Sequence, residues 1–211
     1  PGKSAQQAVT RVKELVRSGF QVVYDADLQS YFDTIPHAKL MKCLKLRIAD
    51  SSILHLIDQW LKSPIYEKGK PLQSSKGFGT PQGGVISPIL ANLYLHWFDV
   101  QVCRKMKESG IRGEIIRYAD DFVVLTPRLE SELHDWMEAL LEGKFDLKIN
   151  REKTRVVDLK EPKASLNFLG YTFRFGFKYR NGGRSRFHEV IPSKKSVQRA
   201  KDRVRELTER R

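Results

Sequence analysis

Three aspartates in this chain have neighbours that could place carboxylates for metal-dependent chemistry. Asp27 closes a stretch that alternates like a β-strand, and Asp120 and Asp121 lie in the turn between two short apolar stretches. Carboxylate oxygens suit Mg²⁺, and two such ions side by side stabilise the attacking and leaving oxygens of a phosphoryl transfer. A lone Asp-Asp pair is most often ordinary turn chemistry, so the prediction of a metal site depends on the flanking elements.

Hydrophobic spacing predicts the elements that must position these carboxylates. Alternation in the first strand places Val23, Asp25 and Asp27 on one face. Proline and capping residues mark the starts of two later helices. In chain order the predicted elements are a helix over 4–19, a strand over 20–28, helices over 36–48 and 52–61, a loop over 69–84, a long helix from Ser87-Pro88, strands over 114–118 and 122–126, a helix from Thr126-Pro127 and a strand over 154–159.

This order predicts an α+β fold with a ferredoxin-like βαββαβ core, in which an antiparallel sheet packs on helices. The additional helices form a leader at the N-terminus and an insertion after the first strand. The first strand and the central hairpin are sheet neighbours in such a core. Asp27 and the Asp120-Asp121 turn are therefore expected to converge on one surface.

The C-terminal part of the chain is predicted to form an appendage. Aromatic alternation from Phe173 to Tyr179, a turn at Asn181-Gly182-Gly183 and a return through residues 187–191 predict a β-hairpin, and Ser193 is predicted to cap a basic helix. We expect one main domain over residues 1–172, followed by this hairpin and helix over residues 173–211. An apolar stripe on the helix predicts docking onto a further domain.

Composition favours a nucleic-acid partner. The chain has 38 Lys and Arg against 25 Asp and Glu, a formal charge of +13, and such a balance attracts polyanions. No apolar stretch approaches the length needed to cross a bilayer, so we expect no membrane partner. Cys43 and Cys103 match no metal or redox spacing, which predicts reduced thiols and a cytoplasmic setting. A start at Pro1 rather than Met predicts a segment of a longer protein.

Five stretches resemble successive polymerase motifs of group II intron-encoded reverse transcriptases, in the right order and over nearly the whole chain. The resemblance implies a polymerase palm that extends a primer 3′-OH by RNA-directed DNA synthesis. It also implies two Mg²⁺ ions, bound with the dNTP, for which Mn²⁺ would substitute. The motifs occupy residues 27–33, 80–88, 118–121, 150–154 and 168–171.

The resemblance assigns roles to individual residues. Asp27, Asp120 and Asp121 are implied to be catalytic metal ligands, and the backbone carbonyl of Leu28 is implied to join them. Phe32 matches the aromatic steric gate that excludes a ribose 2′-OH and so favours DNA synthesis. The other implied roles are nucleotide binding by Gln82, Gly83 and Lys153, a primer grip of Phe168, Leu169 and Gly170, and contacts to nucleic-acid backbone from Lys178, Arg180, Arg184, Arg186, Lys194 and Lys195.

The implied partners are an RNA template, a DNA primer, dNTPs and the intron RNA, and the oligomeric state is left open. Three alternatives remain. The segment could be chiefly an RNA-binding, maturase-type module, an RNA-dependent RNA polymerase, or a reverse transcriptase of the retron, CRISPR-associated or diversity-generating kind. Because fingers and thumb segments have no counterpart in this sequence, we expect the 211 residues alone to be weakly active or inactive.

Overall fold

The computed structural model describes part of the chain in detail and groups it into two compact units. The described residues are 4–64, 77–80, 84–180 and 183–208, without the side chains of 178–180 and 183–186. The first unit comprises Pro1–Asp25, Arg112–Leu129 and Arg155–Arg211, and the second comprises Ala26–Ile111 and Glu130–Thr154.

A four-stranded sheet in the order β2-β3-β1-β4 forms the base of the first unit. Its strands are β1 (Val22–Ala26), β2 (Glu114–Tyr118), β3 (Asp121–Thr126) and β4 (Arg155–Asp158). β1 runs antiparallel to β4, and β2 runs antiparallel to β3. After β1 the chain passes through helices and returns to the sheet as β2, which β3 separates from β1. This is the connection of a split βαβ unit. This arrangement confirms the predicted α+β fold class.

Helix α1 (Ala5–Arg17) supplies one side of the core of this unit. Ser4 and Gln7 form a reciprocal capping box that fixes where the helix begins. Burial of one valine or leucine side chain stabilises the fold by about 1.5–3 kcal/mol, so the core as a whole contributes more to stability than any single surface contact. The buried cluster includes Val9, Val12, Leu15, Val16, Val23, Val123, Leu125, Leu166 and Phe173.

A second sheet and a terminal helix complete the first unit. The sheet has the order β5-β6-β7, with strands Ser165–Phe168, Tyr171–Arg180 and Gly183–Pro192. The last two strands confirm the predicted hairpin, whereas β5 was not predicted. Helix α7 (Lys194–Thr208) follows, and Ser193 caps it as predicted by accepting from the Ser196 N–H at 3.2 Å.

The second unit is helical. Its elements are α2 (Tyr31–Thr34), α3 (His37–Lys45), α4 (Ser51–Lys62), α5 (Ser87–Glu108), α6 (Ser131–Ala139) and a π-helical turn (Leu140–Lys144). The long helix α5 carries two large, fully buried side chains. Tyr94 and Phe98 pack edge-on against the ring of Phe145, with centroids 5.4 and 6.1 Å apart.

Three predicted boundaries were wrong. β1 is shorter than residues 20–28, and because four of its five residues are buried, the alternation does not separate a polar face. α6 begins at Ser131 rather than at Thr126, whose fully buried hydroxyl donates to the Arg128 carbonyl instead of capping a helix. The N-cap of α5 is Ile86 rather than the predicted Ser87, which is buried and is the first residue of the helix.

Candidate active site

The turn between β2 and β3 carries Asp120 and Asp121. Tyr118 pairs with Asp121 across the hairpin, so Ala119 and Asp120 form a two-residue turn. Ala119 has a φ of 57°, a left-handed conformation that costs a residue with a Cβ about 1–2 kcal/mol. The Arg117 guanidinium donates to the Ala119 carbonyl at 2.8 Å and so stabilises this conformation. Strain of this kind clusters at functional sites.

The carboxylate of Asp120 is available to an external cation. Asp120 is half-buried, and it forms no hydrogen bond or ion pair within the described part of the chain. Asp121 is exposed at the first position of β3. A partly buried carboxylate without a compensating group is electrostatically unfavourable, so a bound cation would stabilise it.

Asp27 directly follows β1 and is held through its backbone. Its N–H donates to the Thr154 hydroxyl at 3.2 Å, and its carbonyl accepts from the Asn150 N–H at 2.8 Å. Lys153, in the same turn, brings its ammonium 3.6 Å from a carboxylate oxygen of Asp27. The two side chains are 67% and 37% exposed, so this ion pair is weak and easily replaced. Leu28 is buried and pairs with Ile149.

Of the adjacent aromatic residues Tyr31 and Phe32, only Phe32 is partly accessible. Tyr31 is 3% exposed, and its hydroxyl donates to the Ala91 carbonyl at 2.6 Å. The two rings meet edge-on with centroids 5.5 Å apart. Phe32 is therefore the ring of this pair that can face a bound molecule, as the steric-gate prediction requires.

Two residues predicted to bind nucleotide, Gln82 and Gly83, lie outside the described residues. The segment just before them is described, and Thr80, which is 1% exposed, donates its N–H to the Phe32 carbonyl at 2.7 Å. Sequence analysis placed Thr80 in a polymerase motif without assigning it a role, and it missed the buried His37 as part of this region. A histidine that falls on the apolar stripe of α3, three residues before Leu40, is the signal that could have drawn attention to His37.

The predicted primer grip is the turn between β5 and β6. Phe168 is 4% exposed and belongs to the core, while Leu169 and Gly170 adopt φ values of 48° and 81°. The Gly170 carbonyl accepts from the Ser193 N–H and from the Ser196 hydroxyl, both at 2.8 Å. These bonds attach the turn to the beginning of α7.

The basic C-terminal region is solvent-facing where it is described. Lys194 and Lys195 are exposed in the first turn of α7, and none of the described residues of that helix is buried. Its apolar stripe is exposed as well, with Val204 at 60% and Leu207 at 59%. The side chains of the other predicted backbone contacts lie outside the described residues: Lys178, Arg180, Arg184 and Arg186.

Comparison with known proteins decides the family. The family model described as reverse transcriptase (RNA-dependent DNA polymerase) matches residues 1–173. The chain belongs to the reverse transcriptase family. It is 29% identical to protein YkfC of Escherichia coli (strain K12), over 93% of this chain and 58% of that protein, and 25% identical to the group II intron-encoded protein LtrA of Lactococcus lactis subsp. cremoris, over 82% and 38%. The chain thus spans less than two thirds of the length of these relatives.

Solved structures support the same fold for this reverse transcriptase chain. Telomerase of Candida tropicalis superposes with a TM-score of 0.60 over 81% of this chain and 34% of that chain, at 14% identity. Telomerase of Candida albicans superposes with a TM-score of 0.59 over 80% and 32%, at 18% identity. At such identities the likeness concerns the fold, which is that of a polymerase palm.

Two further observations bear on the predicted cofactor and setting of this reverse transcriptase. Members of the family use divalent metal ions, and aspartate oxygens are suitable ligands for them. Within the described ranges, however, no three His, Cys, Asp or Glu side chains come together as a metal-binding group, so the ligand set stays a prediction. No helix in the described part of the chain is long and apolar enough to cross a membrane.

Proposed function

We propose that this chain is the catalytic palm of a group II intron-type reverse transcriptase, which extends a primer 3′-OH along an RNA template. The observation that carries the proposal is the β2–β3 turn. Its strained backbone presents the uncompensated carboxylate of Asp120 within the Tyr118–Asp121 motif. A two-residue hairpin turn needs a positive φ at its first central position, where glycine or asparagine is usual, so an alanine there accepts a cost that those residues would avoid.

The proposed metal ligands are Asp27, Asp120, Asp121 and the backbone carbonyl of Leu28. The motifs support this set, because residues 27–33 and 118–121 resemble the two carboxylate-bearing motifs of the family. The donors are all hard oxygens, which fits two Mg²⁺ ions or substituting Mn²⁺. When bound, such ions stabilise the charge that develops on the attacking and leaving oxygens.

The remaining roles belong to side chains that contact the substrates. Lys153 would leave Asp27 when a cation binds there and would then neutralise phosphate charge of the incoming nucleotide. Phe32 would fill the space that a ribose 2′-OH needs, which selects deoxyribonucleotides. With Gln82 and Gly83, these residues form the proposed nucleotide site.

The proposed nucleic-acid contacts lie in the C-terminal part of the chain. The turn at Phe168, Leu169 and Gly170 would hold the primer end. Because Phe168 is buried and Gly170 has no side chain, backbone groups would make most of these contacts. Lys194 and Lys195 would bind phosphates without reading sequence. Intron RNA is the second proposed ligand of these basic residues.

The test is primer extension on RNA and DNA templates with the protein that carries this chain. Asp120→Asn should abolish extension, because it removes a metal ligand at constant shape. Asp58→Asn is the matched control, since Asp58 lies on α4 in an exposed ion pair with Lys62. Extension that survives Asp120→Asn would refute the polymerase assignment. An unchanged RNA affinity in that inactive variant would show that RNA binding is independent of the metal site.

A further inference from the structure

Residues 77–80 form a strap that pairs with the segment containing Phe32. The Thr80 N–H donates to the Phe32 carbonyl at 2.7 Å, and the Gly79 N–H donates to the Ile35 carbonyl at 2.8 Å. Pro36 and Phe78 form an antiparallel bridge between the two segments. Long-range backbone pairing therefore fixes the chain on which Phe32 is mounted.

His37 closes this pairing at its far end. Its backbone N–H donates to the Gly77 carbonyl at 3.0 Å, and its ring Nε2 lies 2.6 Å from the Gly79 carbonyl oxygen. A carbonyl oxygen only accepts, so Nε2 carries the hydrogen in this arrangement. The residue is 5% exposed, and Nδ1 has no partner among the described residues. The bond to Gly79 is thus the polar contact that holds the ring in its buried place.

The strap fits tightly against helix α2. Gly79 has a φ of 84°, and a Cβ at this position would lie 2.9 Å from the backbone oxygen of Asp33. A side chain cannot be accommodated there unless the strap moves away from α2. The Phe32 carbonyl accepts from Thr80 of the strap, and the neighbouring Tyr31 is bonded to Ala91, so the backbone that carries the Phe32 ring is held from both sides.

We propose that His37 is a positioning residue that sets how strictly Phe32 excludes ribonucleotides. Its ring bond holds the strap in register, and the strap holds the backbone of Phe32. This inference rests on the proposed function, because it requires Phe32 to act as the gate.

The experiment measures kcat/KM for CTP and for dCTP on one template, with the protein that carries this chain. His37→Phe keeps a ring of similar size but removes the donor, and it should raise the CTP/dCTP ratio about five-fold, the loss expected for one buried hydrogen bond. His37→Gln places an amide N–H where Nε2 lay, and it should restore the ratio to within about two-fold. A role in folding alone would lower both efficiencies together and leave the ratio unchanged.

Phe32→Ala separates the two ideas. If Phe32→Ala leaves the CTP/dCTP ratio unchanged, Phe32 is not the gate, and the proposed specificity and this inference both fail. If Phe32→Ala raises the ratio and His37→Phe does not, the gate stands and the role of His37 is overturned. Thermal melting identifies a destabilised His37→Phe protein. In that case Gly79→Ala supplies the same test, because it displaces the strap directly, and an unchanged ratio in that variant also overturns the inference.

Discussion

Replacement of Tyr94 by Phe tests how a buried hydrogen bond stabilises the helical unit. Tyr94 is 1% exposed on α5, and its hydroxyl donates to the Phe145 carbonyl at 2.8 Å, just after the π-helical turn. Phe retains the ring and its edge-on contact with Phe145, so the change removes one hydroxyl and little else. We expect the free energy of unfolding to fall by about 1 kcal/mol at pH 8, which corresponds to about 2–4 °C in melting temperature for a chain of this length.

The same substitution has a second, pH-dependent consequence. Burial raises the pKa of Tyr94 above its ordinary value, with smaller contributions from Cys43 and Asp146. Above about pH 10 the unfolded chain loses the phenol proton while the folded chain retains it. Stability is therefore fully present below that pH and is lost as the pH rises, by up to about 1.4 kcal/mol per pH unit. Tyr94→Phe lacks this loss, so its deficit should vanish near pH 11.

Urea unfolding of both proteins at pH 8, 9, 10 and 11 measures the difference directly. Lysine deprotonation affects both proteins equally and cancels in that difference. Tyr118→Phe is the control, because Tyr118 is 43% exposed and its substitution should change the free energy of unfolding little at pH 8. A Tyr94→Phe deficit that stays constant from pH 8 to pH 11 would refute the proposed burial of the phenol.

Three other predictions follow from contacts described above. Burial lowers the pKa of His134, so the unfolded state takes up its proton first and stability should fall as the pH drops below about 6.5. His134→Leu should therefore reduce the change in the free energy of unfolding, measured with urea, between pH 7.5 and 5.5. An equal change in both proteins would contradict this. Gly170→Ala should destabilise by about 1–2 kcal/mol, because a residue with a Cβ is strained at φ 81° and its Cβ would lie 2.8 Å from the Ser196 hydroxyl. Adding Ser196→Ala should relieve the clash but not the backbone strain, as thermal melting would reveal. Lys194→Ala with Lys195→Ala should reduce the slope of log affinity against log salt for single-stranded RNA by about 1.4, and an unchanged slope would exclude phosphate contacts there.

Sequence patterns predicted the larger elements because those elements bury a continuous face. The stripe of α1 repeats at the helical period, whereas β3 is an unbroken run of five buried residues bounded by a turn. Helix α2 and strand β5 were missed, because each offers only two apolar residues. The π-helical turn lies where the sequence predicted the end of an α-helix. The predicted start of α6 was wrong because the side chain of Thr126 is fully buried in the core and does not cap a helix.

Some residues of the candidate site could be predicted from the sequence and others could not. Asp27, Asp120 and Phe32 could be selected because they lie in motifs that are short and contiguous. His37 and the strap could not, because their pairing joins positions about forty residues apart in the chain. Nothing in the local composition of residues 77–80 indicates which distant segment they contact. Only the folded chain brings the Gly79 carbonyl to the imidazole.

The double acceptance at the Gly170 carbonyl limits where related proteins can be recombined. Ser193 and Ser196 both donate to that carbonyl, so the turn after β5 and the beginning of α7 each depend on the other for their position. A chimera with its junction between Gly170 and Ser193 would combine a turn from one protein with a helix start from another, and the hydrogen bonds between them could be lost. A junction placed beyond Ser196 would retain these hydrogen bonds and allow the basic helix to be replaced while the turn keeps its shape.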